Sequence, residues 1–252
     1  MGDRTGIEWT DATWNPMTGC TKATAGCDHC YAATIAASKT RDIYLRQLPV
    51  KNTDKARADP FAPRFWPQRL DQPLHWREPR RVFVNSMSDV SHAHFTLEMI
   101  QRVFEVMNRA PWHQFQVLTK RPERALRFAD QLSWTDNIWM GTSIENMDVA
   151  KRADALRKIP ARVRFISAEP LLGPLDGLDL TAIHWVIGGG ESGVGHRPCL
   201  REWAIGLRDV CVKTNVAFFW KQWGGHTPKS GGRKLDGDEW SQYPVSLEVA
   251  RH

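Results

Sequence analysis

The sequence predicts an α/β protein, a partial (β/α) TIM-like barrel of about six to seven parallel strands. Three observations predict it. Short β-branched or aromatic runs recur along the chain, and each ends in polar residues. Stretches with apolar residues three or four apart fill most of the gaps between them. The chain has 252 residues, 42% of them hydrophobic, enough for one large core of this kind.

The strand runs are Ala12–Asn15, Val82–Asn85, Phe115–Thr119, Ile138–Gly141, Val163–Ser167, His184–Gly188 and Val216–Trp220. Strands of a parallel sheet are covered on both faces, so they read as short continuous apolar runs. The stretch from Tyr31 to Leu48 reads as the first helix. Leu97, Ile100, Phe104 and Met107 then mark one face of a second helix. The same spacing recurs at Ala125, Ala129 and Leu132, at Val149, Ala153 and Leu156, and at Trp203, Leu207, Val210 and Cys211. Strands alternating with helices imply βα units. Seven runs rather than eight imply an open barrel.

Polar groups stand at nearly every strand end. They are Asn85-Ser86-Met87-Ser88-Asp89, Lys120-Arg121, Thr142-Ser143 with Glu145 and Asn146, Glu169-Pro170, Gly188-Gly189-Gly190-Glu191-Ser192, and Lys221-Gln222. Parallel barrels build their sites where these loops converge. Loops are polar in any protein, but that explains one such end more readily than six.

Residues 1–225 are expected to form the barrel, with an insertion at about 51–81 and a tail over 226–252. The insertion is long for a βα connection and interleaves Arg64, Arg69, Arg77, Arg80 and Arg81 with Phe61, Phe65, Trp66 and Trp76. The tail is Gly- and Lys-rich, with Trp240 and Tyr243 as anchors. The net charge is +6 and the pI about 9.2, which permits a phosphate-bearing partner without requiring one. No apolar run approaches the ~20 residues a membrane span needs. Met1–Thr10 carries Asp3, Arg4 and Glu8 and lacks a signal-peptide core, so a cytoplasmic location is expected.

Cys20, Cys27 and Cys30 form a C-x6-C-x2-C motif directly after the first strand. Clustered cysteines in a chain without an export signal read as metal ligands before disulfides. Three thiolates hold three irons of a [4Fe–4S] cubane and leave the fourth open. Zinc is the alternative, and it needs a fourth ligand from His29, His196 or Cys199.

The phrase Ile7-Glu8-Trp9-Thr10-Asp11-Ala12-Thr13-Trp14-Asn15-Pro16, followed by Thr18-Gly19-Cys20, resembles the radical S-adenosylmethionine (SAM) superfamily. Within it, the chain is similar to a phage- and prophage-associated family with this wider cysteine spacing; the superfamily's commonest spacing is C-x3-C-x2-C. The resemblance continues through Ser167-Ala168-Glu169-Pro170-Leu171, Gly188-Gly189-Gly190-Glu191-Ser192 and Trp220-Lys221-Gln222-Trp223-Gly224. It implies a [4Fe–4S] cluster, SAM chelated at the open iron, and reductive cleavage to a 5′-deoxyadenosyl radical, with an external one-electron reductase. It places SAM contacts after the second strand at Ser86, Ser88 and Asp89, although no Gly-Gly-Glu stands there, and at Ser143, Glu145 and Glu169 farther on. Gly189 would let backbone approach the adenine. Some relatives resemble parts of thymine-modification pathways in phage DNA, and others lesion-repair enzymes.

Helix N-caps and surface ion pairs are the ordinary roles of such carboxylates. Cys211 falls on an apolar helix face and reads as packed core. Cys199 is a candidate hydrogen donor to a substrate radical, against the plainer reading of an incidental thiol. Arg64, Trp66 and Arg69 are candidates for gripping DNA phosphates and stacking on bases, against a loop pinned to the barrel by its own aromatics. Two classes of function follow: a radical SAM enzyme acting on DNA, or a non-catalytic metal-stabilised nucleic-acid-binding protein.

Overall fold

The computed structural model describes residues 5–244. Asp3 and Arg4 of the N-terminal segment and residues 245–252 of the tail lie outside the described residues. The main sheet has seven strands: β1 (Ala12–Trp14), β2 (Arg81–Val84), β3 (Gln114–Thr119), β4 (Ile138–Ser143), β5 (Arg164–Ala168), β6 (Trp185–Gly189) and β7 (Ala217–Gln222). They lie side by side in chain order and every pairing is parallel. Each crossover therefore advances one strand in the same direction, as in a TIM barrel, and β1 and β7 remain as edges. This is the partial barrel that the alternating runs imply.

Strand side chains alternate between two faces. Val82, Val84, Phe115, Val117, Met140, Ile166, Val186 and Phe218 pack with Ile100, Val103 and Phe104 of α4 (Leu97–Arg109), Leu156 of α6 (Arg152–Arg157), and Leu207 and Cys211 of α7 (Arg201–Lys213). Cys211 is fully buried there. On the other face, Phe83, Trp139, Phe165, Trp185, Ile187 and Phe219 gather with Trp9 in a second core that fills the lower half of the concave surface. Toward the C-terminal strand ends the residues on this face become small or polar: Gly141, Ser143, Ser167, Gly189.

The open β7 edge is covered. Trp220 donates its amide to the Trp240 carbonyl at 2.9 Å, and Gln242 to that of Phe218 at 3.1 Å. Tyr243 packs against Trp185 at 5.2 Å. Such cover stops the edge from templating further strands.

Two helices differ from the periodicity. The single helix expected over 31–48 is two, α1 (Tyr31–Ala37) and α2 (Arg41–Leu45). The Ser38 hydroxyl donates to the Thr34 carbonyl at 2.7 Å, the side-chain competition that ends helices. The pattern through Ala125, Ala129 and Leu132 resolves into α5 (Pro122–Phe128) and a 3₁₀ turn at Ala129–Gln131. The insertion begins with α3 (Asp54–Ala58), whose Thr53 hydroxyl caps the Ala56 amide. It then pairs Arg64–Phe65 antiparallel with Met17–Thr18. Among the described residues no helix is long and apolar enough to cross a membrane.

Candidate functional site

The segment Gly19–Cys30 leaves the short Met17–Thr18 strand and lies over the C-terminal ends of the sheet strands. Its entry is fixed by backbone. Gly19 donates to the Met87 carbonyl at 2.9 Å and Cys20 to that of Phe61 at 3.1 Å. Gly19 has φ +84°, and a Cβ there would lie 2.3 Å from the Ala62 carbonyl oxygen, so only glycine fits. All three cysteines of the motif are free thiols at intermediate exposure, and Cys30 stands at the N-terminus of α1.

Three carboxylates from different strand ends hold this loop. Asp89, after β2, accepts from the Thr119 hydroxyl at 2.5 Å, the Ser91 and Lys120 amides, and Arg121 at 2.8 Å. The same Arg121 guanidinium reaches Cys20 Sγ at 3.5 Å and the Thr21 carbonyl at 2.8 Å. Burial pushes the Cys20 thiol up to about 12, with the Arg121 charge working against it. Glu145, after β4, pairs with Lys120 and with Arg152 and accepts from the Thr24 hydroxyl at 3.0 Å. It packs so closely on Gly26 that a Cβ there would clash with its carboxylate. Despite its burial, the Lys120 and Arg152 charges hold its pKa below the usual carboxylate range. Glu191, after β6, accepts from His29 Nδ1 at 2.8 Å and from Arg197 through both carboxylate oxygens. Arg197 also donates to the Ala25 carbonyl at 2.9 Å. Burial would raise Glu191, but the Arg197 and His29 hydrogen bonds prevail and hold it at about 2.

The expected SAM contacts divide in two. Asp89, Ser143 and Glu145 are buried. Asp89 and Glu145 spend their oxygens on the pairs above, and the Ser143 carbonyl accepts from Arg152. These residues brace the wall of the site through those pairs. Ser86, Ser88 and Glu169 border the mouth, with Gly189 buried beside Glu169. Ser86 and Ser88 are half-buried, bonded to Asn15 and to the Met17 carbonyl. Glu169 pairs with Lys221 at 3.0 Å and accepts from the Ser167 hydroxyl. A Cβ on Gly189 would stand 3.2 Å from the Glu169 carboxylate. Tyr31, 52% exposed, donates to the Ser86 carbonyl at the same mouth.

The insertion residues are corrected. Arg64 is fully buried and gives its guanidinium to the Gln47, Ala62 and Ala56 carbonyls. Trp66 is buried, bonded through Nε1 to the Thr18 hydroxyl, with the Arg69 guanidinium 3.6 Å over its ring. Arg64 and Trp66 pin the insertion to the segment that leads into Cys20 and are themselves buried. Cys199 packs beside Gly190, and burial pushes its thiol up to about 12.

The donor set fits a [4Fe–4S] cluster. Three thiols project from one short loop, with Arg121 directed at Cys20 and the Ala23 amide 3.5 Å from Cys27 Sγ. Each thiolate of a cubane meets its own iron, so the sulfurs need not converge on one point. A zinc site needs four ligands on one ion. Its candidate fourth ligands are engaged elsewhere: His29 with Glu191, His196 with the Gly193 carbonyl, and Cys199 in packing.

A cavity of about 910 Å³ opens at the opposite strand ends, lined by His113, Trp139, His184 and Tyr243 among others; no cysteine-loop residue lines it.

Sequence reasoning missed the tethers His29, Arg121, Arg152 and Arg197. Arg121 was visible as a strand-end residue, but nothing in its neighbourhood reveals a partner 32 positions away.

A family model described as "Protein of unknown function (DUF5131)" matches residues 4–244. No curated protein matches the chain. Two solved structures of spore photoproduct lyase are similar at 13% identity: one complexed with dinucleoside spore photoproduct (TM-score 0.48) and one a tyrosine-to-phenylalanine mutant (0.43). In each case 80% of this chain is covered, and it spans 61% of the other.

Proposed function

The chain belongs to the DUF5131 family, and we propose that it is a radical SAM enzyme whose substrate is a base or base-linked group in DNA. The observation that carries this reading is the cysteine loop: three free thiols over the strand ends of a partial barrel, braced by three carboxylates that are each paired with a cation. Cys20, Cys27 and Cys30 would hold the [4Fe–4S] cluster. When bound, the cluster supplies one electron, taken from an external reductase, to cleave SAM and yield a 5′-deoxyadenosyl radical.

The protein's own part is positioning and exclusion of water. Arg121 places positive charge beside Cys20 and so balances a thiolate there. Ser86 and Ser88 offer hydroxyls at the mouth, and Glu169 with Lys221 offers one group of each sign for the polar ends of SAM. Gly189 leaves room for a flat ring to approach backbone. Beneath them the aromatic layer of Phe83, Trp139, Phe165, Trp185 and Phe219 closes the lower half to water. DNA as substrate is supported by the basic charge of the chain and by the sequence resemblance; modification of thymine and repair of a lesion both accord with it.

Anaerobic protein supplied with iron, sulfide, dithionite and SAM should release 5′-deoxyadenosine, and Ser88→Ala or Glu169→Gln should weaken SAM binding while leaving iron content intact. Full iron loading with no 5′-deoxyadenosine, even with DNA present, would sink the enzyme reading.

A further inference from the structure

The cap that follows the cysteine loop carries charges of a different kind. Residues 38–58 hold six basic residues against two acidic ones, so this short segment carries four of the chain's six net positive charges. Arg57 pairs with Asp54. Lys39, Arg41, Arg46, Lys51 and Lys55 are all exposed, and none has an ion-pair or hydrogen-bond partner for its side chain among the described residues. Two large aliphatic side chains on the same segment also face solvent, Ile43 at 49% and Leu48 at 60%.

The cap is fixed relative to the site. The α1 helix starts at the residue after Cys30. Tyr44 of α2 packs on Trp66 at 5.7 Å, and Trp66 bonds Thr18, two residues before Cys20. Arg64 ties the Gln47 and Ala56 carbonyls, one on each side of the intervening loop, to the same insertion. The buried Arg64 and Trp66 therefore tie the segment that carries these five exposed cations to the strand that leads into Cys20.

We propose that these five cations, Lys39, Arg41, Arg46, Lys51 and Lys55, bind the phosphate backbone of DNA and deliver a nucleotide to the cysteine-loop mouth. The proposal rests on the DNA reading above and names the residues that carry it. An acidic protein is the competing partner for any cationic face. Lysine is depleted at protein–protein interfaces, where buried aromatics dominate. Here three of the five cations are lysines, and the exposed apolar groups are two separate aliphatics. Cations that neutralise phosphates release condensed counterions, and need no carboxylate partner in the free protein.

The test is fluorescence anisotropy with a labelled 20-nucleotide DNA, single-stranded and duplex, titrated with the full chain over a range of salt, with and without reconstituted iron. Replacing all five residues by Gln should flatten the dependence of log K on log[salt] by about 3.5 to 4.5, since each lost phosphate contact removes roughly 0.7–0.9 from the slope. Lys158→Gln with Lys213→Gln, exposed cations elsewhere, should leave the slope unchanged. Circular dichroism and iron content of the five-fold variant should match the parent. An unchanged slope in that variant, or no DNA binding by the parent at low salt, overturns the proposal. Iron loading and 5′-deoxyadenosine release without DNA are measured separately, so failure of the radical reading is a different result.

Discussion

The cysteine loop and the cap beside it are both rich in charge, and they use it in opposite ways. Around the loop, Asp89, Glu145 and Glu191 are each buried, and each is paired with at least one cation. On the cap, five exposed cations have no partner among the described residues. A buried carboxylate left unpaired is expensive, so each one inside must be matched and thereby fixes its neighbours. An exposed cation contributes little to folding wherever it sits. The loop's charges therefore serve its position, and those of the cap remain available to a partner. Substitution in the loop should cost stability or cofactor; substitution in the cap should cost neither.

The largest expected effect is at the ligands. Cys27→Ala should abolish SAM cleavage and remove most iron, whereas Cys211→Ala, in the outer core, should lower stability with iron content per folded chain unchanged; iron analysis checks both. Full iron loading in the Cys27 variant would break the assignment. Next is Gly19→Ala. The positive φ and the close approach of the Ala62 carbonyl together should cost about 3 kcal/mol in urea unfolding, with loss of iron retention. A cost below about 0.5 kcal/mol, the usual range for a neutral surface change, would mean that the loop entry is not fixed as described.

Glu191→Gln sharpens the comparison through pH. The folded protein holds this carboxyl at about 2 against an ordinary 4.5, so it favours the ionised form. That stabilisation is complete above the unfolded value and is lost as pH falls from about 4.5 toward 2. One pKa unit corresponds to about 1.4 kcal/mol, and solvent screening of this pair reduces the yield, so the parent should exceed the variant by about 1–2 kcal/mol at pH 7. The gap should narrow steadily below pH 4.5. A gap independent of pH would assign the effect to packing. The smallest expected effect is on the cap, where Lys39→Gln, Lys51→Gln and Lys55→Gln should each change stability by less than about 0.5 kcal/mol.

The strands were legible because each is a short apolar run that ends in polar residues, and parallel strands covered on both faces must look so. All seven fall within a few residues of their sequence positions, from Ala12–Trp14 to Ala217–Gln222. The break between α1 and α2 was not legible, since Ser38 sits in a stretch whose apolar spacing is otherwise helical. The polar set at strand ends was visible, but its use was not. Asp89 and Glu145 look like ligand contacts until the fold brings Arg121 and Arg152 against them. Arg64 and Trp66 look like a nucleic-acid surface because alternating Arg and aromatics suit one; whether they face out or in is decided by the pairing of Arg64–Phe65 with Met17–Thr18. The cations at Lys39 to Lys55 carried the weaker sequence signal, lying inside and beside a predicted helix where charges are commonplace.

The central claim is that the braced cysteine loop holds a cluster with one iron open to SAM. Electron paramagnetic resonance of the anaerobic, dithionite-reduced protein tests it most directly. The account predicts the signal of a one-electron-reduced [4Fe–4S] cluster whose g values shift when SAM is added, and loss of that signal in Cys20→Ala. A reduced, iron-loaded protein with no such signal, or with a signal that SAM leaves unchanged, would contradict it.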